Sequence, residues 1–132
     1  MSTDSPQKLL TLDEDWDRAV AVAAHPDDLE YGAASAIARW TDQGKEITYL
    51  LLTRGEAGID GMHPRDAGPL REAEEVAGAA QVGVTVVDFL DYTDGVIEYG
   101  MELRRDITRA FRKYKPDIVI SGNHRLLFPS GK

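Results

Sequence analysis

Apolar and polar positions along this chain alternate between two regimes. Short uninterrupted apolar runs are separated by stretches in which apolar residues recur every three or four positions. The first run is Ala19-Val20-Ala21-Val22-Ala23-Ala24, bounded by His25-Pro26, and it predicts a buried strand. Ala33, Ala36, Ile37 and Trp40 then follow at helical spacing, with Gly44 as the expected stop. Ile47 to Thr53 predicts a second strand, followed by a polar, glycine-rich loop from Arg54 to Gly68. Leu70, Ala73, Ala77 and Ala80 predict the next helix, with Pro69 near its start and Gly83 closing it. Val84 to Leu90 reads as a third strand, and Leu103, Ile107, Ala110, Phe111 and Tyr114 mark one face of a further helix. Lys115-Pro116 ends that helix, and Asp117 to Ser121 predicts a fourth strand. Residues 1–16 show no periodicity and read as a polar N-terminal arm, with Trp16 as the residue that could dock it on the body formed by 17–132.

Strands that are apolar along their whole length, each followed by a helix, predict an α/β fold with a mainly parallel sheet covered on both faces. In such sheets the ligand site lies beyond the C-terminal ends of the strands. The segments to search for chemistry are therefore 25–31, 53–68, 91–98 and 121–132.

Composition then narrows the chemistry. The chain has 132 residues, enough for one domain or part of one, and no cysteine. Any metal must therefore be held by His and carboxylate. Fifteen Lys and Arg against twenty-three Asp and Glu leave a net charge of -8, which disfavours nucleic acid and anionic lipid as partners. The apolar runs are short for a bilayer, and the start Met1-Ser2-Thr3-Asp4 lacks the basic, apolar character of a signal peptide, so a cytoplasmic location is expected.

The first candidate segment concentrates this chemistry. His25-Pro26-Asp27-Asp28-Leu29-Glu30 sets one imidazole and three carboxylates at the predicted end of the first strand. Pro26 stiffens the turn, and a neutral His nitrogen with a carboxylate oxygen suits Zn²⁺ or another first-row divalent ion. A neighbouring carboxylate can act as a base instead of a ligand. Spacing alone leaves a plainer alternative open, in which the Asp residues only start and cap a helix.

Ala24-His25-Pro26-Asp27-Asp28-Leu29-Glu30-Tyr31-Gly32 closely resembles the signature of the LmbE-like (PIG-L) deacetylases. The resemblance continues through Leu52-Thr53-Arg54-Gly55-Glu56-Ala57-Gly58, Arg71-Glu72-Ala73-Glu74 and Leu90-Asp91-Tyr92-Thr93-Asp94-Gly95, and through Lys115 to Ile120. It implies a Rossmann-like three-layer sandwich and a metal-dependent hydrolase that removes acetyl from an N-acetylglucosamine-type conjugate. Carried over residue by residue, it implies His25 and Asp28 as metal ligands, Asp27 as the general base on metal-bound water, and Arg54 and Asp94 as sugar-pocket residues. Zn²⁺ or a similar divalent ion is the implied cofactor, and a small N-acetylated amino-sugar conjugate the implied substrate.

The resemblance also implies a third ligand from a downstream His motif. The candidate in this chain is His124, although its place directly after the fourth strand precedes the expected position and suits a plain polar loop residue. Complete relatives carry more chain, so the domain reads as incomplete at its C-terminal end. Two expectations follow from that. One is a deacetylase whose missing part is supplied elsewhere, and the other is an inactive remnant with at most weak sugar or partner binding. Apolar surface left uncovered would favour self-association into a homo-oligomer. His63-Pro64 repeats two letters of the motif without its acid pair and reads as a loop, and Glu72, Glu74 and Glu75 read as a solvated helix face.

Overall fold

A computed structural model describes residues 13–25, 28–29, 33–58, 61–98 and 100–121. The elements run β1 (Arg18–Ala23), α1 (Ala34–Asp42), β2 (Glu46–Leu51), α2 (Pro64–Gln81), β3 (Val86–Phe89), α3 (Met101–Tyr114) and β4 (Ile118–Ser121). All three strand pairings are parallel, in the order β3-β2-β1-β4. The expected α/β architecture with a parallel sheet is therefore what the chain forms.

Strand periodicity sorts the core into two layers. Ala19, Ala21 and Ala23 of β1 join Ile47, Tyr49 and Leu51 of β2 under Ile37 of α1 and Ala79 of α2. The alternate residues Val20 and Leu50 face the opposite way and meet Ala110 of α3. This is what the connections require. From β1 through β3 the chain steps in one direction across the sheet, so right-handed crossovers put α1 and α2 on one face. The step from β3 back past β1 to β4 reverses direction and sends α3 to the other face. The reversal opens a crevice at the C-terminal end of β1, the place where such sheets bind ligands.

Both outer strands leave a valine exposed, Val86 on β3 and Val119 on β4. No helix among the described residues is long and apolar enough to cross a membrane.

Two features differ from the pattern-based expectation. The second helix starts at Pro64, not near Pro69, because His63 caps it by accepting Arg65 N–H on Nδ1 at 3.0 Å. Pro69 lies inside the helix, where its missing N–H removes one i→i−4 hydrogen bond. Periodicity missed this first turn because Arg65, Asp66 and Gly68 give it no apolar stripe. Glu75, expected on a solvated face, is only 3% exposed and packs inside.

The segment leading into β1 is fastened by a compact polar lock. Glu14 takes a two-point contact from Arg39, both distances 3.0 Å, and also accepts Trp40 Nε1–H at 3.0 Å. Lys45 Nζ donates to the carbonyls of Glu14 and Trp16 and sits 4.9 Å over the Trp16 ring. Trp16 itself is buried edge-on against Trp40, 5.2 Å between ring centres. At the same end of the sheet, Asp117 accepts the N–H groups of Asp17 and Arg18, which aligns the start of β4 with β1.

The Arg39 guanidinium, more than any other neighbour, holds the Glu14 carboxyl at about 2 against an ordinary 4.5. A carboxyl with a depressed folded pKa favours the folded state above its unfolded value, and the advantage disappears as pH falls from 4.5 to about 2. Glu14 is partly exposed, so solvent screening keeps the contribution modest. Glu14→Gln is expected to lower the melting temperature at neutral pH and to flatten its decline across that acid window. A melting curve with an unchanged acid limb in the variant would show that the lock contributes nothing to folding.

Candidate active site

The C-terminal ends of β1, β2 and β3 converge on His25. The convergence begins in the backbone. The carbonyl of Ala24 accepts both Thr53 N–H at 3.1 Å and Thr53 Oγ1–H at 2.9 Å. Thr53 is fully buried, and its Oγ1 in turn accepts Gly55 N–H at 3.0 Å. Two strand ends are thereby stitched together one residue before the imidazole, which fixes where His25 leaves the sheet.

Asp28 folds back on that turn. Its N–H donates to the His25 carbonyl, and its Oδ2 accepts the His25 N–H, both at 3.2 Å. The same Oδ2 stands 3.5 Å from His25 Nδ1. On the other side of the ring, His25 Nε2 lies 2.9 Å from Asp94 Oδ1. The His25 and Asp28 side chains are about half exposed, whereas that of Asp94 is only 7% exposed.

Asp94 is held from several directions. Its Oδ2 accepts Ala57 N–H and its own N–H donates to Glu56 Oε2, each at 2.8 Å. Glu56 also accepts Arg54 N–H on Oε1 at 3.2 Å. Two carboxylate-to-backbone hydrogen bonds, Asp94 N–H to Glu56 and Ala57 N–H to Asp94, thus join the loop after β2 to the loop after β3. Sequence reasoning gave Glu56 no role. The one available signal was an acid in the loop after a strand, and its partner lies 38 positions away, beyond any local spacing rule.

Arg54, expected at the sugar pocket, has several protein partners. Its Nε donates to Glu72 at 2.7 Å and its Nη1 to Asp91 at 3.1 Å, while the guanidinium lies 5.4 Å from the centre of the Phe89 ring. The Glu72 carboxylate is the main reason the Arg54 pKa is raised. Beside it, Arg54, Glu56, Gly68, Asp91 and Thr93 border a cavity of about 260 Å³. Tyr92 tethers this loop to α3 by donating to Asp106 Oδ2 at 2.6 Å, and Asp106 more than any other group pushes the Tyr92 hydroxyl up to about 12.

Of the residues named from sequence, His25, Asp28 and Asp94 come together, and Arg54 borders the adjoining cavity. Asp27 and His124 lie outside the described residues. Among the described residues no group of three metal-binding side chains gathers. His25 and Asp28 alone still fit an ion. Two donors on one tetrahedral Zn²⁺ with bonds near 2.1 Å stand about 3.4 Å apart, and the observed gap between Nδ1 and Oδ2 is 3.5 Å.

Comparison with known proteins gives this geometry a context. The family model described as PIG-L, GlcNAc-PI de-N-acetylase, matches residues 20–125. A diacetylchitobiose deacetylase of Thermococcus kodakarensis is 35% identical over 108 residues, covering 80% of this chain and 40% of the relative. Among solved structures, the N,N'-diacetylchitobiose deacetylase of Pyrococcus horikoshii superposes with a TM-score of 0.84 at 29% identity, over 89% of this chain and 45% of that one. GalB of Pseudomonas putida, a 4-carboxy-2-hydroxymuconate hydratase, superposes with a TM-score of 0.74 at 25% identity, over 87% of this chain and 50% of that one. The chain thus spans half or less of the length of each of these proteins.

Proposed function

We propose, from the premise that this chain belongs to the PIG-L (GlcNAc-PI de-N-acetylase) family, that it supplies the N-terminal part of the active site of a metal-dependent N-acetyl-sugar deacetylase. The observation that carries this reading is the facing pair His25 Nδ1 and Asp28 Oδ2, set at the C-terminal end of β1 with a spacing suited to a divalent ion. These two side chains would hold Zn²⁺ or a similar metal. When bound, such an ion polarises an amide carbonyl and makes water more acidic.

The remaining work belongs to the chain's own groups. Asp27, next in sequence to Asp28, would take the proton from the attacking water and return it to the leaving amine, so that acetate departs from a free amino sugar. Arg54 and Asp94 are the residues offered to sugar hydroxyls. A carboxylate oxygen can accept more than one hydrogen bond, so Asp94 can meet a hydroxyl while retaining its protein contacts. His124 remains the candidate for a third donor. The diacetylchitobiose deacetylases among the relatives support a small N-acetylglucosamine-containing substrate.

The similarity to GalB supports a second reading, addition of water across a carbon–carbon double bond of a small carboxylate. The two readings differ in product. With diacetylchitobiose and added Zn²⁺ or Co²⁺, the deacetylase reading predicts acetate release, and hydratase chemistry does not. Asp27→Ala is expected to slow that release by about 10²–10⁴-fold, the usual contribution of a positioned proton-transfer group. Acetate release that survives this substitution would remove Asp27 from the mechanism. No release with any divalent metal would overturn the deacetylase reading.

A further inference from the structure

We propose that Asp94 is a positioning residue that fixes the tautomer of His25, placing the proton on Nε2 and leaving the Nδ1 lone pair turned toward Asp28. The proposal rests on the metal-binding reading above for its purpose, and on geometry alone for its content.

Asp94 has little freedom in how it meets the ring. Its side chain is 93% removed from solvent by burial, since only 7% is exposed. Oδ2 is taken by Ala57 N–H and the backbone N–H is taken by Glu56. The oxygen left for the imidazole is Oδ1, at 2.9 Å from Nε2. A carboxylate oxygen only accepts, so in the neutral ring Nε2 must be the protonated nitrogen. Nδ1 is then an electron-pair donor.

The other side of the ring gives this assignment its consequence. Nδ1 faces Asp28 Oδ2 at 3.5 Å, too far for a good hydrogen bond. Oδ2 already accepts His25 N–H. Two electron-rich atoms therefore look at each other across a gap that a cation reconciles. Histidines that bind metals usually donate their second ring N–H to a carboxylate or carbonyl, which sets both ring orientation and basicity. Asp94 occupies that position, and Glu56 with Ala57 holds it there. The duty is distinct from contact with a sugar, because it acts through His25 whether or not substrate is present.

Asp94→Asn tests the proposal because the amide offers only one acceptor. Ala57 N–H needs that oxygen, so the amide NH₂ turns toward His25. Nε2 must then accept, and the proton moves to Nδ1, into the gap facing Asp28. Long-range ¹H–¹⁵N correlation spectra of the neutral ring, recorded on the metal-free full chain, should show Nε2–H in the wild type and Nδ1–H in D94N. Zn²⁺ affinity measured by competition with a chromophoric chelator should fall about 10–100-fold in D94N, the usual effect of losing a ligand's supporting partner.

An unchanged tautomer in D94N overturns the proposal. If D94N fails to fold, the wild-type spectrum decides alone, and Nδ1–H or an even mixture there overturns it. A tautomer switch without metal binding would leave the Asp94 assignment standing while removing the metal-hydrolase reading. Metal binding with no switch would do the reverse.

Discussion

His25→Ala is expected to abolish measurable Zn²⁺ or Co²⁺ binding while leaving the chain folded. The imidazole is 46% exposed and leaves the sheet beyond the last residue of β1, so its removal opens no cavity in either core layer. Among the described residues what remains is the carboxylate of Asp28, also about half exposed to competing water. In four-ligand zinc sites the binding free energy is about 10–16 kcal/mol, so one ligand is worth on the order of 3 kcal/mol and its loss more than 100-fold in affinity. Equilibrium dialysis against Co²⁺, with melting temperature measured in parallel, separates the two effects. His63→Ala is the control, since His63 sits at the start of α2 and only caps it. Undiminished metal binding in H25A would place the ion elsewhere and remove the basis of the proposed chemistry.

The second large effect concerns the sheet that carries the site. Leu51 ends β2 with no exposed surface, pairing with Ala23 on one side and Phe89 on the other within the layer capped by Ile37 and Ala79. Neighbours on both adjacent strands cannot close the space a truncated side chain leaves. Leu51→Ala should therefore destabilise by about 2–5 kcal/mol, a large share of the roughly 5–15 kcal/mol typical of a domain. At this chain length that corresponds to a fall in melting temperature of about 10–20 °C. Val86→Ala, on the exposed outer strand, should stay within about 0.5 kcal/mol of wild type. Equal effects at the two positions would contradict the assignment of Leu51 to the core. Metal binding should decline with L51A as the population unfolds, because Thr53 and the loop through Glu56 follow directly from Leu51.

Most of the fold was legible in the pattern of apolar positions. Apolar runs located all four strands, and glycine or proline closed the helices. Gly83 shows why such a stop is firm. It lies at φ +83°, and a Cβ there would come within 2.5 Å of Thr41 Oγ1. The first turn of α2 escaped because its signals are a His cap and polar residues, which look like loop. Glu75 escaped because a carboxylate scores as surface wherever it stands. Arg54 was legible as a residue of the cleft, but a sequence cannot show that Glu72 and Asp91 would both reach its guanidinium.

The local sequence by itself determined the chemistry on offer. With no cysteine in the chain, a metal site can draw only on His and carboxylate, and His25, Asp27 and Asp28 are close enough in sequence to be read together. The order of strands and helices likewise placed that group at a strand end, because hydrophobic periodicity is a local property. Only the tertiary structure decided which nitrogen of His25 faces which acid. Asp94 lies 69 positions beyond His25, and its direction is set by Ala57 and Glu56 from a third segment. Nothing local encodes a contact among three loops. It exists because parallel strands bring their C-terminal ends to one edge, where backbone N–H groups no longer needed by the sheet are free to hold carboxylates in place.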